Sequence, residues 1–450
     1  MNEFIEQGDT IIVEDPSYFI MINIFKDFDL EIEKVTMDKN GANMEELEEI
    51  VESLQDKQRN VFFYTIPFNH NPTGINMSEK KKQDLVNICD TFDNFYVISD
   101  EVYHFLSWDN VDEDSMKPLA DYHSNIITCG SFSKILAPSL RLGWIYSIDD
   151  DDKSTIEELK NSSYYDSTGG TGVISSFIVE QLLETGDLDK YINFCKDFLK
   201  CRCNAICETI DSIGKNLLEY DKPVGGYFVW LNTKELDSDM LLEKAIGNKV
   251  KFHQGWKFTP EKDDFRNYIR LSFSFYDEDD LKLGIERLVE TISDFNKIKV
   301  LIQGANGRLG SMIRNELDTI SRLKYIGNID KDQNIPDHNK KDKNVIIDVS
   351  NSDGTNHLIA KLYSDNYFPP IIIGTTGNLD MDIINEYSKH APVAIISNFS
   401  DGIPKVIELV KMLDTLSSKW NFKIIESHHK NKKDKPSGTS NNILENIKRD

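Results

Sequence analysis

Short apolar runs alternate with amphipathic helical patterns through the first part of this 450-residue chain. The apolar runs occupy residues 8–14, 61–65, 95–99 and 125–129, and the helical patterns occupy residues 45–54 and 78–92. Strands that are separated by helices usually pair in parallel, so this alternation predicts an α/β domain with a mostly parallel sheet. Ligands of such sheets bind where the carboxyl ends of the strands meet. We therefore expect the functional residues at the strand ends.

Polar residues with distinct chemistry follow three of these predicted strands. Asn71 comes after the second run, Asp100 and Tyr103 after the third, and Ser131 and Lys134 after the fourth. Because the carboxyl ends of parallel strands lie along one edge of a sheet, these side chains are expected to converge. Several chemically suitable residues at strand ends occur together by chance far less often than a single such residue does. The pattern therefore indicates a single active site.

The stretch with the most specific chemistry is residues 130–144, Gly-Ser-Phe-Ser-Lys-Ile-Leu-Ala-Pro-Ser-Leu-Arg-Leu-Gly-Trp. A lysine among apolar neighbours and near another cation loses its proton easily, so the amine of Lys134 can attack a carbonyl and hold it as an imine. Arg141 follows in the same stretch, and its planar guanidinium matches two phosphate oxygens at once. The two residues together predict a pyridoxal phosphate site.

Two other interpretations of this stretch stay open at the level of the residues. A lysine beside glycine and serine is often a solvated turn residue. Ser131 and Lys134 also fit Ser-x-x-Lys, the acylating motif of penicillin-binding enzymes, and residues 364–366 supply a Ser-Asp-Asn. The third element of that motif set, Lys-Thr-Gly, is absent from the sequence. The Ser-Asp-Asn also falls in a different predicted domain, which disfavours the acyl-enzyme interpretation.

With the motifs Asn71-Pro-Thr-Gly, Asp100-Glu-Val-Tyr and Ser131-Phe-Ser-Lys in this order, residues 8–295 resemble class I/II aminotransferases of pyridoxal phosphate fold type I. The motif wording is closest to the 2-aminoadipate and kynurenine aminotransferase group. The resemblance implies that Lys134 forms the imine and moves the α-proton, and that Arg270 binds the substrate α-carboxylate. It implies further cofactor contacts, in which Asp100 pairs with the ring nitrogen, Tyr18 stacks on the ring, Asn71 and Tyr103 bind the phenolic oxygen, and Ser131 and Arg141 hold the phosphate.

A second α/β pattern begins with a new apolar run before Gly304. Gly304, Gly307 and Gly310 open a helical pattern, as in loops whose backbone binds a dinucleotide pyrophosphate. Asp330 ends the next predicted strand, at the position where ribose hydroxyls are usually bound. Lys331 beside it suits a 2′-phosphate, so the sequence permits either NADH or NADPH. The pattern predicts a Rossmann-type domain.

Further motifs follow this loop in a fixed order: Gly374-Thr-Thr-Gly, Asn398-Phe-Ser, Glu426-Ser-His-His and Pro436-Ser-Gly-Thr. With them, residues 298–450 resemble dihydrodipicolinate reductase, which implies hydride transfer from a nicotinamide to a cyclic unsaturated dicarboxylate. The implied catalytic residues are His428, as general acid or orienting residue, and Lys432, as proton donor. The implied substrate contacts are His429, Ser437, Gly438 and Thr439, and the implied nucleotide contacts are Gly304, Asn306, Gly307, Arg308, Leu309, Gly310, Asp330, Lys331, Gly374, Thr375, Thr376, Asn398 and Phe399.

The paired histidines His428 and His429 have two other interpretations, a zinc site and a solvated basic loop. Zinc sites need at least three protein ligands, and no third ligand stands at a suitable spacing in the sequence. No metal is therefore expected.

The two resemblances divide the chain into four predicted domains. They are a pyridoxal phosphate domain at 1–185, the small α+β domain of the aminotransferase at 186–296, the Rossmann domain at 297–398 and the start of the reductase substrate domain at 399–450. The aminotransferase family carries a long segment before the position of Gly8, and the reductase family continues well beyond Thr439. We therefore expect the sequence to be the middle portion of a longer chain, with each half incomplete.

Charge and hydropathy restrict the partners of the chain. The formal net charge of -25 argues against a nucleic-acid or anionic membrane surface. No apolar run approaches the roughly 20 residues that a membrane-spanning helix needs, and no targeting segment follows Met1. We expect a cytoplasmic enzyme with small-molecule substrates. The aminotransferase resemblance implies a homodimer or a larger homo-oligomer.

The combined prediction is a bifunctional fusion that transaminates an amino acid with a 2-oxo acid and reduces dihydrodipicolinate to tetrahydrodipicolinate in lysine and diaminopimelate biosynthesis. Its cofactors are pyridoxal 5'-phosphate and NADPH or NADH. A further hypothesis is that the aminotransferase acts on a diaminopimelate precursor with glutamate as donor, because the reductase product is later aminated. The alternative is a pseudoenzyme that binds one or both cofactors without full turnover.

Overall fold

The computed structural model of the chain describes residues 5–55, 59–108, 116–148, 161, 171–317, 319–320, 322–329, 344–396, 404–409, 423–427, 436, 440 and 443–444. The chain divides into two compact units, residues 1–293 and residues 294–450. Each unit has its own sheets.

The larger sheet of the first unit is built from strands in which apolar residues predominate. Its strands are β1 (Thr10–Asp15), β2 (Glu31–Asp38), β3 (Gly41–Ala42), β4 (Val61–Thr65), β5 (Phe95–Asp100), β6 (Ile126–Ser131) and β7 (Gly143–Tyr146). They lie in the order β3-β2-β1-β4-β5-β6-β7. The five central strands are parallel, and β3 and β7 are antiparallel to their neighbours at the edges. The predicted parallel sheet is confirmed.

Some helices of the first unit connect these strands, and others follow the larger sheet in the chain. They are α1 (Phe19–Asp27), α2 (Met44–Leu54), α3 (Glu79–Thr91), α4 (Phe132–Ile135), α5 (Val173–Glu184), α6 (Asp187–Thr209), α7 (Ser238–Gly247) and α8 (Glu278–Asn296). Polar side chains cap the start of several of these helices, including α2 and α3. Asn43 accepts a hydrogen bond from the backbone N–H of Glu46, and Ser78 accepts one from Lys81. These N-caps satisfy donors that a helix start leaves without a partner.

A hydrophobic core of the first unit lies between the larger sheet and helices α2 and α3. Leu47 and Val51 of α2 and Leu85 of α3 have no exposed surface, and they pack with Ile12 of β1 and Phe63 of β4. Burying each such side chain stabilises the fold by about 2 kcal/mol. The packing holds the strands whose ends carry the predicted site.

A smaller antiparallel sheet follows the long helix α6. Its strands are β8 (Phe228–Asn232), β9 (His253–Gln254) and β10 (Tyr268–Ser272), in the order β8-β10-β9. Arg270 lies on the central strand β10, directly opposite Trp230 on one side and His253 on the other. The sheet therefore places the arginine among aromatic rings.

The second unit contains a parallel sheet with helices on both faces. The strands are β11 (Ile298–Gln303), β12 (Leu323–Ile329), β13 (Asn344–Asp348), β14 (Ile371–Ile373) and β15 (Val393–Ile395), and the helices are α9 (Arg308–Leu317), α10 (Ser352–Ser364) and α11 (Met381–Ser388). The strand order is β12-β11-β13-β14-β15. Leu301 packs with Ile359 and Tyr387, whereas the next residue, Ile302, packs with Leu317. This alternation buries both faces of β11, as in a Rossmann-type domain.

In the part of the chain that the structure describes, none of the helices combines the length and the apolar character that crossing a bilayer requires.

Candidate active site

Asp100, the last residue of β5, is held by two hydrogen bonds at the carboxyl edge of the larger sheet. The hydroxyl of Tyr64 donates a 2.6 Å hydrogen bond to Asp100 Oδ2, and the backbone N–H of Val102 lies 3.4 Å from Oδ1. Burial raises the pKa of Asp100, and both hydrogen bonds oppose this rise. A carboxylate in these surroundings is a suitable partner for a cation that loses its own hydration on binding.

Lys134 lies on the short helix α4, directly after β6. Its Nζ is 5.9 Å from the ring centroids of both Tyr103 and Tyr227. Burial lowers the pKa of Lys134, Asp100 opposes this shift, and Arg270 lowers the pKa further. A lower pKa gives a larger fraction of neutral amine, which is the nucleophilic form. The cation that assists this effect is Arg270, from the smaller sheet.

Arg270 is buried, and one of its donors has no partner among the residues that the structure describes. Its Nη1 donates a 2.7 Å hydrogen bond to Asn71 Oδ1. Its Cζ lies 3.9 Å from the ring centroid of Phe228 and 4.8 Å from that of Phe258. Among the described residues, nothing accepts a hydrogen bond from Nε. Burial lowers the pKa of Arg270 to about 10. A desolvated guanidinium with an unused donor is suited to an anionic ligand such as a carboxylate.

Aromatic residues surround this arginine. Tyr18 is half-buried at the start of α1, and its phenol interacts electrostatically with both Arg270 and Asp100. The next residue, Phe19, contacts the His253 ring with centroids 5.4 Å apart. Burial lowers the pKa of His253 to about 4, and Arg270 contributes to that decrease. These effects favour the neutral imidazole, although His253 itself is exposed at the end of the smaller sheet.

Ser131 and Arg141 are close to Lys134 in the chain, but their side chains make local contacts. Ser131 Oγ accepts a 3.1 Å hydrogen bond from the N–H of Ser133 and so caps α4. Arg141 is exposed, has a left-handed backbone with φ of 49°, and donates a 3.3 Å hydrogen bond to the carbonyl of Pro138. The predicted phosphate contacts of these two residues stay predictions.

Two tyrosines contact the site residues and were not identified by the sequence analysis. Tyr64 stands within five consecutive buried residues, so it resembled an ordinary core side chain. The available signal was its position, one residue before the end of the strand beside β5. Tyr227 donates a 2.6 Å hydrogen bond to the carbonyl of Lys134. It lies 93 residues away in the chain, and no local pattern predicts that contact.

The glycine loop of the second unit is as close-packed as a nucleotide-binding loop requires. Gly304 has φ of +82°, and a Cβ there would lie 2.9 Å from the backbone of Ser350. A Cβ at Gly310 would lie 2.2 Å from the carbonyl oxygen of Gly304. Both positions therefore need glycine. The four residues between Ala305 and Gly310, namely Asn306, Gly307, Arg308 and Leu309, are exposed where α9 begins.

Gly374, Thr375 and Thr376 follow β14 at the same edge of the second sheet. The N–H of Gly374 donates a 2.8 Å hydrogen bond to the carbonyl of Asp348, at the end of β13. Thr375 is buried, and its hydroxyl has no hydrogen-bond partner among the described residues. Thr376 is exposed.

The remaining predicted reductase residues lie outside the described residues. They are Asp330, Lys331, Asn398, Phe399, His428, His429, Lys432, Ser437, Gly438 and Thr439.

The residues that are present fit the two expected cofactors. The first unit offers an amine with a lowered pKa beside a partly buried carboxylate, which suits an aldehyde carried on a basic ring. The second unit offers a glycine loop at the start of a helix and the Thr375 hydroxyl, which has no partner in the described part of the unit, and both suit an anionic nucleotide. Within the described ranges there is no group of three or more His, Cys, Asp or Glu side chains that could hold a metal ion.

Comparison with family models divides the chain at the same place. Residues 3–288 match the model for aminotransferase class I and II. Residues 298–399 match the N-terminal model of dihydrodipicolinate reductase, and residues 402–450 match its C-terminal model.

Relatives and solved structures were found for the aminotransferase part. The chain is 32% identical over 295 residues to aromatic-amino-acid aminotransferase 1 of Thermococcus litoralis. This alignment covers 65% of this chain and 68% of the relative. A multiple substrate aminotransferase from Thermococcus profundus is 29% identical with a TM-score of 0.60. A kynurenine aminotransferase from Pyrococcus horikoshii, solved with PMP, is 30% identical with a TM-score of 0.59. Each of these structures matches 65% of this chain and is itself covered to 71%.

Proposed function

Because this chain belongs to the class I and II aminotransferase family and also carries dihydrodipicolinate reductase domains, we propose that it joins two reactions in one polypeptide. The first is transamination of an amino acid with a 2-oxo acid, and the second is reduction of dihydrodipicolinate to tetrahydrodipicolinate. The chain is an enzyme whose first part depends on pyridoxal phosphate and whose reductase N-terminal domain binds NADH or NADPH.

The observation that carries the first reaction is the grouping of Lys134, Asp100 and Arg270. Pyridoxal phosphate, when bound, supplies an electron sink for negative charge at the substrate α-carbon. Lys134 offers a partly desolvated amine that can hold the aldehyde and accept the α-proton at Nζ. Asp100 offers the anion for the ring nitrogen. Arg270 offers its free Nε to the α-carboxylate.

The surroundings of Arg270 support an amino acid with an aromatic side chain. Phe19 and Phe258 have ring centroids 5.3 Å apart, and the lowered pKa of His253 beside Phe19 favours its neutral form. Rings of this kind pack favourably against another aromatic ring. The hypothesis of a diaminopimelate precursor requires a second cation for the distal carboxylate. Burial and Arg270 lower the pKa of His253, which disfavours the charged form of its imidazole.

The second reaction rests on the glycine loop and on Thr375. Gly304 and Gly310 allow the backbone to approach a pyrophosphate closely, and the start of α9 lies beside it. The unpartnered Thr375 hydroxyl is at the end of β14, on the same edge of the sheet. In this proposal His428 is the general acid or orienting residue and Lys432 is the proton donor. Both residues lie outside the described ranges.

The test of the aminotransferase proposal is the visible spectrum of the full chain after addition of pyridoxal phosphate. A lysine-bound cofactor gives a yellow band near ~420 nm. We expect Lys134→Ala to abolish this band and Lys190→Ala to retain it, because Lys190 is exposed and pairs only locally with Asp187. A wild-type protein without the band would contradict the proposal.

A kinetic panel then tests the substrate class. We expect aromatic amino acids to have a higher kcat/KM than diaminopimelate-type dicarboxylates. The reverse order would support the diaminopimelate hypothesis. A yellow protein that transaminates none of the compounds would instead support the cofactor-binding pseudoenzyme.

A further inference from the structure

The hydroxyl of Tyr64 is placed to control the carboxylate of Asp100. Tyr64 lies in β4, next to β5 in the parallel sheet, and only 1% of its surface is exposed. Phe25 packs edge-on against its ring with centroids 5.4 Å apart, which fixes the ring orientation. The 2.6 Å hydrogen bond to Asp100 Oδ2 has the length expected when a hydroxyl donates to a charged carboxylate.

The two oxygens of Asp100 are used unequally. Oδ2 accepts the 2.6 Å hydrogen bond from Tyr64, whereas Oδ1 lies 3.4 Å from the backbone N–H of Val102. Oδ1 therefore keeps capacity for a further donor. Tyr64 occupies one oxygen and leaves the other for a ligand.

We propose that Tyr64 is a positioning residue of the aminotransferase, whose hydroxyl keeps Asp100 ionised and oriented so that the ring nitrogen of the bound cofactor retains its proton. This inference rests on the proposed function, since it requires pyridoxal phosphate in the first unit. The tyrosine does not touch the reacting atoms in this scheme. It acts through Asp100.

Several titratable groups face Asp100 from the surrounding elements. They are Tyr18 at the start of α1, Tyr64 on β4, Glu101 and Tyr103 after β5, Cys129 on β6 and Lys134 on α4. Burial and Glu101 raise the pKa of Asp100, whereas Tyr64 and Lys134 lower it. Tyr64 is the side chain that donates a hydrogen bond to the carboxylate. Its removal therefore takes away a specific stabilisation of the charged form.

Loss of this hydrogen bond has a defined consequence for the proton. Without Tyr64, the Asp100 carboxylate would bind a proton more tightly and would compete better for the proton of a bound cofactor's ring nitrogen. Lys134 would then hold the cofactor beside a ring with less positive charge, so the nitrogen of Lys134 would be easier to protonate.

The experiment is a pH titration of the visible band of the full chain loaded with pyridoxal phosphate. In Tyr64→Phe we expect the midpoint to rise by about one pH unit, the size of one hydrogen bond to a charged group. We expect kcat to fall by about tenfold while KM for the amino acid stays unchanged, because Arg270 is intact. Tyr146→Phe is the matched control, since Tyr146 also donates a 2.6 Å hydrogen bond to a carboxylate, that of Asp121, at an exposed position of the same sheet.

Two further arms separate a role at the ring nitrogen from a general loss of packing. A cofactor analogue with carbon in place of the ring nitrogen should give the same titration in wild type and Tyr64→Phe. In an Asp100→Asn background, Tyr64→Phe should add no further shift. A Tyr64→Phe midpoint equal to that of wild type, or a shift that persists with the analogue, would overturn the inference and leave the aminotransferase assignment intact. Failure of the wild-type protein to form the band would count against the proposed function itself.

Discussion

At the residue scale, Arg270 has the contacts of a carboxylate-binding arginine before any ligand is present. Phe228 and Phe258 pack against its guanidinium, and Asn71 accepts from Nη1. A lysine ammonium is a point charge that cannot form the same fork of donors. We expect Arg270→Lys to weaken amino-acid binding by about 2 kcal/mol, which is roughly a thirtyfold rise in KM, and to change kcat less. Steady-state kinetics with saturating 2-oxo acid measures this.

Arg266→Lys provides the control for that substitution. Arg266 precedes the same strand, but its Nε and Nη2 pair with Asp237 and Asp239 on the neighbouring helical segment. We expect its KM to match that of wild type. An unchanged KM in Arg270→Lys would show that the carboxylate binds elsewhere.

The sequence analysis expected the residues at strand ends to converge. Asp100 and Lys134 interact electrostatically, because parallel strands bring their carboxyl ends together. Asn71 contacts Arg270 of the smaller sheet, a pair that the strand-end argument did not predict. Tyr64 could not be predicted in the same way, since a tyrosine in a fully buried strand has the pattern of a core residue. The side-chain direction of Arg141 also depends on a turn geometry that residue type does not determine.

At the element scale, Asn69 in the loop after β4 packs closely against the turn before β8 and against the segment after β5. Asn69 Nδ2 donates hydrogen bonds to the carbonyl of Tyr103, at 2.9 Å, and to Ser107 Oγ, at 3.0 Å. A Cβ at Gly225 would lie 1.9 Å from Asn69 Oδ1. The glycine therefore permits the contact that holds the Asn71 loop against the Tyr103 turn.

We expect Gly225→Ala to lower the free energy of unfolding of the first unit by about 2 kcal/mol, because either Asn69 or the turn must move. Gly247→Ala is the matched control. A Cβ at that position has no neighbour within 4 Å, and alanine in a helix costs less backbone entropy than glycine. Urea titration monitored by circular dichroism measures both. Equal midpoints for the two variants would contradict the close contact.

The sequence predicted elements better than it predicted their contacts. The range of β4 agrees with the apolar run at residues 61–65, because a strand that is buried on both faces has apolar residues along its whole length. Helix α3 is one residue shorter at each end than its pattern, since Ser78 serves as the cap and Phe92 follows the last turn. The close contact between Asn69 and Gly225 was not predictable, because the sequence around Gly225 and Gly226 does not indicate which distant residue packs against them.

At the scale of the whole molecule, two units with separate cores are joined by a very short connection. Helix α8 ends at Asn296 and strand β11 begins at Ile298. Each unit buries its own apolar clusters. The family resemblances predicted this two-enzyme organisation from motif order, and the matches to residues 3–288 and 298–450 confirm it. The internal boundaries at residues 185 and 398 stay predictions.

A ligand stabilises the unit that binds it, and the size of the effect follows from mass action. NADPH at a hundred times its Kd should stabilise its binding unit by about 2.7 kcal/mol. We therefore expect two melting transitions in the full chain, of which NADPH raises one and pyridoxal phosphate raises the other. Scanning calorimetry of the full chain with each cofactor alone measures the two shifts separately.

Gly307→Asp assigns the NADPH shift to the loop at the start of α9. The substitution places a carboxylate where the pyrophosphate is expected. The added Cβ would also lie 3.1 Å from the carbonyl oxygen of Gly304. We expect the NADPH shift to disappear while the pyridoxal phosphate shift is retained. Gly284→Asp, at a position in α8 with open space around the Cβ, should retain both shifts. If neither NADPH nor NADH changes a melting temperature of the wild-type protein, the proposed nucleotide site is wrong. If the NADPH shift is retained in Gly307→Asp, the nucleotide binds somewhere other than this loop.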